Sequence, residues 1–98
     1  MKLLSIAQSG LQAAQTRLDV SANNVANAQT EGFRALEVEA TPQAGGGVST
    51  QVAPGPIPGV DLATELVQQR AASYDFKASL KMIETADRLM GSLLDVKG

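Results

Sequence analysis

Glu37 and Glu39 stand two positions apart, the spacing at which a β-strand presents both side chains on one face, and two carboxylates so placed can divide general acid and base work. Ser73, Tyr74 and Ser79 add hydroxyls that become nucleophile or acid only beside a base. The chain has no histidine and no cysteine, which removes imidazole bases, thiolate nucleophiles, disulfides and the usual zinc ligands together. Gly45-Gly46-Gly47 lacks the Gly-Lys-Ser/Thr continuation of a phosphate-binding loop and no helix follows it, so it reads as a turn. Acidic residues alternating along a strand are most simply the wet face of a hairpin. The expectation is a non-enzymatic protein with no catalytic residues, metal or cofactor.

The 98 residues suit one domain, and 44% hydrophobic content is enough to exclude a wholly disordered chain. Two Phe, one Tyr and no Trp leave Leu, Val, Ile and Ala to build the core, a composition suited to closely approaching helices. A net charge of −2 with scattered basic residues lacks the electrostatic footprint of a nucleic-acid partner. The uncharged run between Glu39 and Asp61 is too rich in Gly, Pro, Ser, Thr and Gln to span a membrane. Lys2 followed by uncharged Leu3 to Thr16 mimics a secretory signal, but Gln8, Gln12 and Gln15 interrupt the apolar run. No signal cleavage is expected.

The elements that would position these side chains follow from periodicity. Leu4, Leu11, Leu18 and Val25 recur every seven residues, as do Ala7, Ala14, Ser21 and Ala28, giving a coiled-coil-like stripe of one large and one small layer. The pattern predicts an N-terminal helix over residues 1–31, with Gly32 as its stop. Alternation from Phe33 to Thr41 and again at Val48, Thr50 and Val52 predicts a β-hairpin over 33–53, and the prolines that follow predict an extended linker over 54–60. Asp61 is a good N-cap for a helix over 61–96. On that helix Leu62, Leu66, Phe76, Leu80, Ile83, Met90 and Leu94 share one side, which Ala86, Leu89 and Leu93 widen toward the C-terminus. Two helices of roughly 42 and 52 Å imply a rod: mainly α, two long antiparallel terminal helices, a small β tip at the turn end. Two helices cannot cover so wide a stripe, so further copies or partners are expected to do so.

Ser21-Ala-Asn-Asn-Val-Ala-Asn-Ala-Gln-Thr-Glu-Gly-Phe33 holds three asparagines where helix propensity would choose otherwise. Asn23 and Asn27 share a face, Asn24 lies near the seam, and no charge intervenes between Asp19 and Glu31. Buried amides at such a seam can fix register and partner number; alternatively they loosen the helix ahead of its stop. Spacing leaves both readings open.

This stretch closely resembles the N-terminal signature of bacterial flagellar rod, hook and hook-associated axial proteins. Val60-Asp-Leu-Ala-Thr-Glu-Leu-Val67 and Ile83-Glu-Thr-Ala-Asp-Arg-Leu-Met90 are similar to the C-terminal helix of the same family, so the resemblance covers roughly residues 1–39 and 60–96. It implies a structural subunit of the basal-body rod, nearest the small proximal-rod type, whose terminal helices pair and pack with copies of itself and other axial proteins. It also implies export through the flagellar type III apparatus without signal cleavage, and no cofactor. The family usually carries Tyr followed three residues later by Asn where this chain has Phe76 and Ser79. The expected assembly surface comprises Leu4, Leu11, Leu18, Val25, Phe33, the asparagines 23, 24 and 27, and, on the second helix, Phe76, Ser79, Leu80, Ile83, Leu89, Met90, Leu93 and Leu94. The alternative function is a small adaptor or accessory binding protein of the export and assembly apparatus.

Overall fold

A computed structural model describes residues 2–97, with side chains through Leu94; Met1, counted in the predicted first helix, lies outside the described residues. Four elements follow in order: α1 (Lys2–Ala26), β1 (Arg34–Pro42), β2 (Val48–Pro58) and α2 (Leu62–Lys97). The helix α1 ends at Ala26, short of the expected residue 31. Its last turn tightens as the Asn27 N–H is shared between the Asn23 and Asn24 carbonyls and the Ala28 N–H reaches the Val25 carbonyl at 3.2 Å. Gly32 is therefore not the helix stop. It is the third residue of the turn closed by the Phe33 N–H on the Thr30 carbonyl, and its φ of 76° is the value a type II turn needs there.

The strands pair antiparallel with Val38 opposite Val52, which places Leu36, Val38 and Ala40 on one face and Glu37, Glu39 and Thr41 on the other, as alternation predicts. The linker expected over 54–60 is different. Pro54 to Pro58 continue β2, with Leu36 opposite Pro54, Arg34 opposite Pro58, and an irregularity between them. Prolines two apart in a strand withdraw N–H donors from one edge only, so a two-stranded sheet tolerates them on its outer side. Gly55 is buried at the irregularity, where an added Cβ would lie 2.8 Å from Glu37 Oε1 and 3.1 Å from the Ala35 carbonyl.

Nor does the hairpin cap the turn end of the rod. It folds back along α1, where Ser9 Oγ accepts from the Val48 N–H at 2.7 Å and donates to the Val48 carbonyl at 2.8 Å. Both strands pack on α1 and neither packs on α2, so α1 is the middle layer of three. The molecule measures 63 × 25 × 14 Å, a flat rod.

Asp61 caps α2 as expected, accepting from the Ala63 and Thr64 N–H groups. The helices run antiparallel, with Arg17 paired to Asp75 at 2.6 Å and Ser21 Oγ donating to the Glu65 carbonyl. Their seam is the small layer: Ala7, Ala14 and Ser21 on α1 meet Glu65, Ala72, Ser79 and Ala86 on α2, each set spaced by seven and all buried. The large positions Leu4, Leu11 and Leu18 flank this seam half-buried, and Val25 is exposed. Small residues win the centre because they let two backbones approach closely. At Gly10 the approach leaves no space, since an added Cβ would sit 2.6 Å from Ser79 Oγ.

Candidate assembly interface

The turn end of the rod is tied together by one side chain. Asn24 is 1% exposed; its Oδ1 accepts from the Leu36 N–H at 2.7 Å, and its Nδ2 donates to the Leu36 carbonyl at 3.0 Å and to Glu65 Oε1 at 3.2 Å. One amide thus mimics a strand neighbour for β1 and satisfies a buried carboxylate on α2, joining three elements. Asn24 therefore belongs to the interior of the single chain and offers no surface to a partner. Asn23 is exposed, and Asn27, half-buried, donates to the Asn23 carbonyl at 2.9 Å while accepting from Thr30 Oγ1 at 3.2 Å. That bonding serves the helix end.

Ser79 is likewise buried in the seam, against Gly10. The approach is tight enough that a longer side chain at this position would push α1 away. Phe33, Phe76 and Ile83 are half-buried, whereas Leu80 is exposed. Since Gly10 lies beside Ser79, the antiparallel register brings Ala86 level with Leu3, and α2 runs on past α1. Along this overhang Leu89, Met90, Leu93 and Leu94 are all exposed, Leu93 by 66%.

The groups that could have done chemistry are dispersed. Glu37 and Glu39 stand exposed on the hairpin, Tyr74 is exposed on α2, and Ser79 is enclosed by the helix seam. Among the described residues no three His, Cys, Asp or Glu side chains gather to hold a metal, and no helix is long and apolar enough to cross a membrane. A concavity of about 830 Å³ opens between the base of the hairpin and the start of α2, bordered by Arg17, Glu37, Asp61 and Glu65. It is open to solvent.

Residues 4–34 match the family described as "Flagella basal body rod protein", and residues 57–96 match "Flagellar basal body rod FlgEFG protein C-terminal". The chain belongs to the flagellar basal-body rod family. The two matches meet the two helices together with Asn24, Phe33 and the Asp61 cap, so the residues that tie the fold together lie within the family-defining segments. No curated protein matches the chain. As a rod-family protein it is a structural component of the basal body, located there and assembled with other rod and axial proteins. Most of the hairpin, residues 35–56, lies between the two matched segments.

Proposed function

We propose that this rod protein assembles through its paired terminal helices, with the apolar overhang of α2 as the principal contact to neighbouring subunits, including copies of itself. The observation that carries the reading is the exposure of Leu89, Met90, Leu93 and Leu94 on a helix whose earlier turns are covered by α1. Contiguous exposed apolar surface of this kind marks protein contact sites. The uncharged, amide-rich end of α1 adds Asn23 as a second contact, able to be covered without burying an ion. The subunit acts by packing and performs no catalysis. It passes the flagellar export apparatus as an unfolded chain without cleavage, because α1 is required again as half of the helix pair.

The test is incorporation. A chain lacking residues 2–20 would retain α2 but lose most of the seam, and is expected to be absent from isolated basal bodies even when abundant in cells. Mass spectrometry of basal bodies reads the result. Intact protein recovered only from the cytoplasm of flagellated, export-competent cells would refute the assembly reading and favour the adaptor.

A further inference from the structure

We propose that copies of this chain join side by side through a second, electrostatic contact, in which Lys77 and Lys81 on the outer face of α2 receive Glu37 and Glu39 on the outer face of the hairpin of the next copy. The inference rests on the self-assembly reading above and adds the surface and the register.

Charge is sorted across the layers. On α2 the side turned away from the seam carries Arg70, Lys77 and Lys81, all exposed, around Tyr74, which is 74% exposed. On the hairpin Glu37 and Glu39 share one exposed face with Gln51 and Ser49, and that face carries no cation; Glu37 also borders the concavity at the hairpin base. Neither the two lysines nor the two glutamates have an ion-pair partner among the described residues; the pairs formed are Arg17 with Asp75 and Arg88 with Glu84. Because α1 lies between the hairpin and α2, the acidic and basic faces occupy opposite outer layers and cannot meet within one chain. Two copies placed edge to edge bring them together.

Spacing agrees with charge. Residues two apart on a strand are separated by about 6.6 Å, and residues four apart on a helix rise about 6.0 Å, so the two carboxylates match the two ammonium groups in step. The lysines also border a shallow concavity of about 630 Å³ floored by Leu3, Ala78 and Met82, with Tyr74 at its edge. Ion pairs seated beside such apolar surface are less screened than pairs standing free in water, and an amphipathic aromatic with a polar tip suits an interface.

The geometry further sets a stagger. Ser79, midway between the lysines, is level with Gly10, and Ser9 is bonded to Val48 opposite Pro42; Val38, midway between the glutamates, lies four strand residues away. Neighbours joined this way are offset by about 13 Å along the rod. The contact is heterologous and staggered, so repetition climbs along an axis instead of closing a flat ring.

Sedimentation of the full chain at several concentrations, with circular dichroism as a check on helicity, tests the contact through charge reversal. K77E/K81E and E37K/E39K should each weaken association roughly tenfold or more with helicity unchanged, and raising the salt concentration should weaken the wild type. The chain carrying all four changes should regain association, since both faces are inverted together. An equimolar mixture of the two double variants should also associate, because one then has two acidic faces and the other two basic ones. Unchanged association of both double variants would overturn this contact while leaving self-assembly through the overhang intact. Loss in the double variants without recovery in the fourfold variant or the mixture would overturn it in favour of a different partner for the basic face. A wild type that stays monomeric throughout would overturn both this contact and the reading beneath it.

Discussion

Along α2 one heptad frame carries two different surfaces. From Glu65 to Ala86 the frame positions are buried against α1, and all but Glu65 are small; beyond Ala86 the helix carries Met90, Leu93 and Leu94 in the open. Side-chain size changes where the partner helix stops. Against α1 a large residue would hold the backbones apart, and in the overhang a small one would leave nothing for a neighbour to cover. The first region stabilises the subunit, and the second is available to the assembly. Four substitutions would break or sharpen this division.

The largest effect is expected at the closed end. Asn24→Ala leaves the Leu36 N–H and carbonyl and the buried Glu65 carboxylate without their partner, and unpaired buried groups cost about 1–3 kcal/mol, more when charged. A loss of roughly 3 kcal/mol is expected in urea denaturation, with the hairpin released from α1. Stability within about 0.5 kcal/mol of wild type, the range of ordinary surface substitutions, would mean that the node holds nothing together and that the two regions of the molecule are alike.

Ala72→Leu should follow. Ala72 is fully buried in the seam, and overpacking of this kind costs about 1–3 kcal/mol. Gly91→Ala supplies the contrast within the same helix, because an added Cβ there meets nothing within 4 Å. Replacing glycine by alanine in an exposed helix gains up to about 1 kcal/mol. Opposite signs at the two sites, read by thermal denaturation, would establish that the seam ends where α1 does. Equal tolerance would remove the distinction.

Much of this was legible beforehand because the signals were local. The small heptad positions Ala7, Ala14 and Ser21 of α1, the Glu37/Glu39 alternation and the Asp61 cap each depend on residues within a few turns, and the structure places all of them as read. The misreadings concern partners distant in sequence. Asn24 finds Leu36 twelve positions on and Glu65 forty-one positions on, and nothing in the spacing of three asparagines distinguishes the interior one. The seam of α2 was hidden because Glu65 and Ser79 interrupt an apolar reading, although their interval of seven with Ala72 and Ala86 was present. Pro54 to Pro58 carried a linker signature because proline removes donors, but a strand needs donors on only one edge when the other is solvent. The fold-back of the hairpin had no sequence signal beyond Ser9, whose hydroxyl takes both backbone groups of Val48.

The smallest effect on the single chain, and the most telling for the comparison, is expected at Leu93. Its side chain is 66% exposed on the overhang, so Leu93→Asp should alter unfolding stability by no more than about 0.5 kcal/mol; an acid near a helix C-terminus opposes the macrodipole by a similar amount. Any coverage of Leu93 by another subunit would bury apolar area, and a charge placed there would have to be desolvated without a partner. Concentration-dependent association should therefore fall while the monomer remains folded, which sedimentation velocity and denaturation measured on the same samples can separate. A wild type that is monomeric at every concentration, or an L93D chain that associates as wild type does, would leave the exposed leucines without an assembly role. Destabilisation of the L93D monomer by several kcal/mol would instead place Leu93 in the packed region and erase the contrast between the two parts of α2.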